Sequence, residues 1–418
     1  MASTTSIQDN HTIQKITLKR SKRGKYNSTN HTKLRNNLLA GVGYLELANA
    51  GDFAANVWND IPVPRHAMIL MAIGGPIALL VSIVAARDFH LSWRNVSLLY
   101  SERKSLHSIT PLNQKEIGVL GVNTRELGTE LIDRMLMDLL LGIGALLVGT
   151  GTIMAIWGAD HKVFEASNLL SGFIGNSFAA IFGVINAGWS GYLVYRFQIR
   201  YTACVSNPGV GTLHLKLRQR FRRLQWHSAI NGMNGLVAGM ASMVTARMWW
   251  GYVGLIPCVV LMIAGNLFWR MKLGYDRPAN LGLVEYLAGE KPAEGDGGSY
   301  DILESLTAVT EAQDRLRQTA ETGTLEVMLT FIVEYDMLEL FCLWISRVWP
   351  DHQVFNMAPA AVDISCEDLK GPEDEQTQMA VECRRFLGKE GKDFLEHRER
   401  YLLELIGEMM WMEQNIHP

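Results

Sequence analysis

Long apolar runs separated by charged connectors set the reading of this chain. Residues 67–86, 137–157, 169–195 and 249–269 are each long and apolar enough to cross a bilayer as a helix, which takes about 20 residues. Gly74, Gly75 and Pro76 near the middle of the first run suggest a kink or break. Residues 228–246 are less hydrophobic but carry no charge. Their Gly232, Gly235 and Gly239, with Asn231 and Asn234, suit a helix packed among others, so they count as a further span. Trp157, Trp226, Trp249, Trp250 and Trp269 fall at expected span ends, where an indole sits well at the lipid–water boundary.

The stretch 38–60 has a different pattern. Its polar residues Glu46, Asn49, Asp52, Asn56, Asn59 and Asp60 fall within roughly 140° of one another on a helix, while Leu38, Leu39, Val42, Leu45, Phe53 and Val57 lie mostly outside that arc. It reads either as a span with one polar stripe or as an amphipathic helix on the membrane surface.

Beyond Arg277 the periodicity changes. Residues 289–299 are a Gly-rich linker, and 301–318 read as a charged helix. Residues 325–349 are apolar but hold Glu326, Glu334, Asp336 and Glu339. Carboxylates at a span centre cost about 3 kcal/mol each, so a buried helix of a soluble bundle is expected there. An acidic loop (350–376) and helices over 377–387 and 393–414 complete the tail.

Charge then orients the spans. Residues 1–277 carry 28 basic and 14 acidic side chains, and residues 278–418 carry 11 and 28, so the net −3 is a cancellation and a boundary is implied. Lys and Arg gather in the arm 1–37 and in 87–136 and 196–227, which the positive-inside rule puts in the cytosol together with the tail. Six spans, with 38–60 as the first, keep every basic segment on one side; five would place the arm outside. Sequons at Asn10, Asn27 and Asn30 argue for the second arrangement. The first residues contain no signal-peptide core. Basic residues scattered between spans exclude a nucleic-acid module. Five widely spaced cysteines without a C-x-x-C imply reduced thiols.

The expected fold is therefore all-α: a multi-pass transmembrane helix bundle, six spans favoured over five, with a cytosolic helical C-terminal domain. The expected boundaries are a disordered basic arm (1–37), the bundle (38–277), a flexible linker (278–300) and an acidic helical domain (301–418).

Candidate chemistry is sparse. Carboxylates within a bilayer must be neutral, paired or turned to a polar cavity, and Glu46 and Asp52 are therefore the candidate catalytic acids. Asn49, Asn56, Asn231 and Asn234 are candidate contacts for the polar group of a lipophilic substrate. Lys216, Arg218, Arg220, Arg222 and Arg223 form a candidate anionic head-group site, or a topology signal alone. Asp336 and Glu339 lie three apart on one helix face, where a salt-bridged or cytosol-facing pair is favoured over a metal or catalytic one. No metal-ligand spacing, serine-hydrolase elbow or cofactor motif is present.

These features fit an enzyme, or an accessory protein of one, acting on a lipid, isoprenoid or natural product in the membrane. Whether it is an enzyme is left open. A scaffold or adaptor that recruits a protein partner through the acidic tail, and a transporter, are the alternatives. Membrane lipids are the expected partners in every case.

Overall fold

Helix α3, Arg65–Ser108, shows how the bundle is built. Its buried residues Ala67, Met71, Gly75, Ala78, Ala85, Asp88, Ser92, Asn95, Leu99 and Glu102 recur mostly three or four apart, so one seam faces inward. Across the helix Ile69, Ile73, Leu80 and Ile83 are each more than half exposed. Polar groups lie inside and isoleucines outside. In water that outer face would be a large apolar patch, whereas a bilayer covers it. Pro76 does not interrupt the helix. At 44 residues α3 is about 66 Å long, roughly twice the hydrocarbon thickness, so the stretch expected to form a basic loop after residue 86 continues as helix.

The computed structural model describes residues 16–21, 26–28, 33–35, 45, 47–58, 62–108, 113–207, 211, 213–278, 299–356 and 361–416. The described chain is mostly helical, with five short strands. Four helical runs, Arg65–Ser108, Gln114–Trp157, His161–Ser206 and Trp250–Leu273, are long and apolar enough to cross a membrane, consistent with an integral membrane protein. The contacts divide the chain into two units. A membrane unit holds the described residues of 34–276, 293–303 and 400–418, and a tail unit those of 1–33, 277–292 and 304–399.

In the membrane unit, α1 (Leu47–Ala50) and α2 (Phe53–Val57) precede α3. Helix α4 (Gln114–Thr129) continues through a π-helical segment (Glu130–Leu136) into α5 (Met137–Met154). Helix α6 (His161–Asn168) leads through a second π segment (Leu169–Gly175) into α7 (Asn176–Ser206). Then come α8 (His214–Thr245), α9 (Trp250–Phe268) and a third π segment (Trp269–Leu273). Two close approaches hold the helices together. A Cβ on Gly75 would lie 3.1 Å from the Gly149 carbonyl, and one on Gly149 would lie 2.9 Å from the Gly75 carbonyl. Gly183 of α7 meets the backbone of Gly235 on α8 in the same way.

The expected helix over 38–60 is corrected. Its described residues form two short helices interrupted at Gly51 and Asp52. The broken segment runs antiparallel to α3. Gly51 packs on the Gly74 carbonyl and Ala78, Ala54 and Ala55 cluster with Met71 and Ala67, and Trp58 stacks edge-on with His66 at 5.1 Å. Apposed small residues (Ala48, Gly51, Ala54 and Ala55 against Gly74 and Ala78) allow this approach.

The tail unit contains the other correction. The arm was expected to be disordered, yet β1 (Ile16–Arg20) is the centre of a three-stranded antiparallel sheet between β2 (Tyr26–Ser28) and a strand from the tail, Ala361–Ile364. Leu18 pairs with Ser28 on one side and with Val362 on the other. Its side chain is fully buried in the tail core with Phe331, Phe341, Phe386 and Leu395. The remaining strands of the molecule are β3 (Lys33–Arg35) and β4 (Asp276–Pro278), which makes the tail strand β5. Residues 325–349, expected as one buried helix, form α11 (Leu325–Glu334) and α12 (Leu338–Val348) after α10 (Ser299–Thr322). They break at Asp336, whose φ is 55°. Asp336 Oδ2 lies 3.7 Å from Arg398 Nη1, an ion pair as the salt-bridged reading of this residue expects. Helix α13 (Gln353–Asn356) precedes β5. Then α14 (Glu373–Phe386) and a π segment (Leu387–Gly391) lead into α15 (Lys392–Ile416). The first turns of α15 belong to the tail unit and Arg400 onward to the membrane unit.

Candidate functional site

Asp52 is fully buried where the chain breaks between α1 and α2. Tyr252 of α9 donates its hydroxyl to Asp52 Oδ1 at 2.7 Å, and Asn56 Nδ2 donates to Oδ2 at 2.8 Å. Asn56 Nδ2 also lies 2.9 Å from the Tyr252 hydroxyl, and Phe53 packs edge-on against the Tyr252 ring at 4.9 Å. Both carboxylate oxygens are thus held by the protein. Asp52 and Asn56 are brought together as the stripe implied, in a staple that pins 52–58 to α9. Glu46 and the side chain of Asn49 lie outside the described residues.

Asn231 and Asn234 sit on α8 facing its neighbours. Asn231 Nδ2 donates to Asn186 Oδ1 at 3.2 Å, and Asn186 Nδ2 returns a bond to the Asn231 carbonyl at 3.2 Å. Asn234 Nδ2 donates to the Cys258 carbonyl at 3.1 Å. These amides couple α7, α8 and α9. Asn231 also borders the cavity described next.

That cavity, about 40 Å³, lies among α4, α5, α7, α8 and α9 of the membrane unit. Its apolar lining residues include Met137, Phe182, Leu193, Phe197 and Met262. Its polar lining residues include Arg125, Thr129, Asp133, Arg134, His227, Asn231, Asn266 and Trp269. Six buried atoms of these residues have no hydrogen-bond partner in the protein: Arg125 Nε, Thr129 Oγ1, Asp133 Oδ1, Arg134 Nε, Asn266 Nδ2 and Trp269 Nε1. A polar space this size holds one or two waters or a compact polar group. Unmet donors and acceptors in low dielectric cost about 1–3 kcal/mol each, so the site is built to be filled.

The two arginines are already fixed. Arg134 reaches Asp88 at 3.0 Å and Glu130 at 3.0 Å, and Arg125 reaches Glu404 at 2.6 Å. The π segments supply part of the polar lining: Asp133 and Arg134 lie in Glu130–Leu136, and Trp269 opens Trp269–Leu273. Such wide turns change which side chains share a face and recur at functional positions. Among the described residues, no cluster of three His, Cys, Asp or Glu side chains could hold a metal ion.

The proposed head-group cluster separates. Arg220 is buried and donates to Glu404 Oε1 at 2.6 Å, because position 220 shares the inner face of α8 with Leu217, Phe221 and Leu224. It is therefore not available to a surface lipid. Arg218, Arg222 and Arg223 are exposed and Lys216 is half-buried. Glu408 accepts from Arg196 at 2.6 Å and Arg200 at 3.2 Å, completing a buried set of four arginines around two glutamates of α15. Burial alone would raise the Glu404 carboxyl, but Arg125 and Arg220 outweigh it and hold the group below its ordinary range.

Arg125, Thr129, Asp133, Arg134, His227, Asn266 and Trp269 were missed from the sequence. Glu126, Glu130 and Asp133 at i, i+4 and i+7, leading directly into an apolar run, carried the available signal: a charged helix face continuous with a span. No protein-family model matches the sequence, and neither a curated protein nor a solved structure shows significant similarity to it.

Proposed function

We propose that this protein binds a lipophilic small molecule within the bilayer, as an enzyme or an accessory protein of one, with the molecule's polar head in the cavity between Arg125 and Asn266. The observation that carries this is a cavity whose lining combines Phe182, Leu193 and Phe197 with residues that hold six unmet buried polar atoms. A largely apolar lining with a few polar groups is the general form of a small-molecule site. Asp133 is the only carboxylate among the described residues that line it, so in an enzyme it is the acid or base. Asp52, with both oxygens taken, positions 52–58 instead. In this reading 47–58 crosses as a broken helix beside α3, α8 is the weak span, and six crossings leave both the arm and the tail in the cytosol.

The test is to purify the full chain in a mild detergent and identify retained small molecules by mass spectrometry, alongside Leu193→Trp, which fills the cavity. One lipophilic compound at near-stoichiometric level, lost from the variant, is the expected result. A wild-type protein that retains none, and whose thermal midpoint no lipophilic compound raises, ends the reading.

A further inference from the structure

Five cations gather at the end of the bundle where α8 begins and α9 finishes. Arg218, Arg222 and Arg223 of α8, and Arg270 and Lys272 of the π segment after α9, are all exposed. Arg220 beside them is buried on Glu404, whereas none of the five makes an ion pair among the described residues. The two helices run antiparallel: Asn234 Nδ2 meets the Cys258 carbonyl, and the His227 ring lies 5.0 Å from Trp269. That register puts the first turns of α8 level with Arg270 and Lys272. Arg223 lies one turn from His227, on the flank of α8 that meets α9, and Arg222 lies one turn from Trp226. The exposed basic residues of α3 are arranged differently. Arg87, Arg94 and Lys104 are seven and then ten residues apart, or about 10 and 15 Å along the helix, too far for one head group to bridge.

Depth and charge together select the partner. Trp226 is exposed at the end of the apolar part of α8, and Ile230, Met233 and Val237 continue its flank as an exposed apolar stripe on which an acyl chain can lie. The head-group layer is about 5–7 Å deep on each side of the hydrocarbon. At about 1.5 Å per residue, Arg222 stands about 6 Å and Arg218 about 12 Å outward of Trp226. A phosphodiester at the glycerol level does not reach that far, whereas a phosphate carried on the outer side of a head group does. Five unpaired cations also match more than the single charge of one phosphodiester.

We infer that this surface binds an anionic phospholipid whose head group ends in a phosphate monoester, on the cytosolic side in the arrangement proposed above. The monoester oxygens accept from Arg218, Arg222 and Arg223, whose guanidinium forks suit phosphate. The phosphodiester lies at the level of Trp226 and Arg270, and one acyl chain follows the Ile230 stripe. This lipid contact is separate from whatever fills the interior cavity.

The experiment is binding of dioctanoyl lipids to the purified full chain in a mild detergent, read by microscale thermophoresis. The ligands are phosphatidylinositol 4-phosphate, phosphatidylinositol, phosphatidylserine and the soluble inositol 1,4-bisphosphate. The monoester lipid is expected to bind at least about tenfold more tightly than each of the others, since it alone has both an outer phosphate and acyl chains. Arg222→Gln with Arg223→Gln should weaken it about tenfold or more, each surface cation being worth about fivefold. Arg87→Gln with Arg94→Gln, an equal loss of exposed charge, should leave its affinity within about twofold. Phosphatidylinositol or phosphatidylserine binding as tightly overturns the monoester assignment. Equal binding of the soluble bisphosphate overturns the lipid assignment. The α3 pair of substitutions weakening binding as much as the α8 pair overturns the location in favour of general surface charge. The ligand series runs on native protein and decides the head group whether or not a variant folds. If none of the four binds, this inference falls and the cavity reading stands.

Discussion

His352 shows how one side chain sets a condition on stability. It is 1% exposed, between the rings of Trp349 and Phe355. Its Nδ1 accepts from the Val354 amide at 3.4 Å, and Nε2 lies 3.5 Å from Glu375 Oε2. Burial pushes its pKa down, with Glu375 opposing. The folded protein therefore takes up this proton less readily than the unfolded chain, whose histidine titrates near 6.5. Its stabilising contribution is complete above that value and is lost as pH falls below it. Between pH 7 and pH 5 the thermal midpoint should drop further for the wild type than for His352→Gln, measured by scanning calorimetry on the full chain. Equal drops would remove His352 as the cause. In the same unit the buried thiols of Cys342 and Cys383 are pushed up by burial, Cys383 to about 12, which keeps both unreactive at neutral pH.

At the scale of elements, equivalent residues in the sequence do unequal work. Gly183 and Gly188 both lie in α7 within one apolar run, and nothing in the pattern separates them. A Cβ on Gly183 would run into the backbone of Gly235, whereas one on Gly188 meets nothing within 4 Å. Gly183→Val should lower the thermal midpoint by several degrees, as overpacking a contact costs about 1–3 kcal/mol. Gly188→Val should leave it within about a degree, measured side by side in one detergent. The two behaving alike would mean that α7 and α8 are not held at this crossing. The four strongest spans were legible because apolar length is a property of composition. The strand Ile16–Arg20 was not, because its partner is some 340 residues away and its own segment reads as polar and basic. The cavity was hidden for a related reason. Asp133, Arg134 and Trp269 converge through π turns, and a regular 100° projection misplaces side chains beyond such turns.

For the whole molecule, the sheet of the tail unit constrains the path through the bilayer. β1 hydrogen-bonds directly to β5, with Ile16 opposite Ile364 and Lys19 opposite Ala361. Two paired strands cannot be separated by a membrane, so residues 16–20 and 361–364 occupy one side and the chain between them crosses an even number of times. The four strong spans satisfy this, but α8 is a fifth helix of 32 residues lying along α7 between spans. If α8 crosses, one more crossing is required, and 47–58 is the segment placed to make it. From Trp58 beside His66 back to Ala48 beside Ala78, it follows at least 12 residues of α3, or about 18 Å of the roughly 30 Å core. A broken helix is tolerated at that depth when protein surrounds it, as α3, α5 and α9 do here. Single epitope tags at residue 1 and after Asp351 should therefore share one protease accessibility in sealed microsomes, both protected or both cleaved. If that side is the cytosol, as in the arrangement proposed above, the sequons at Asn10, Asn27 and Asn30 should carry no glycan and the band should not shift with glycosidase. Tags on opposite sides would break the β1–β5 pairing; a glycan on the arm would preserve the parity and reverse the orientation of every span.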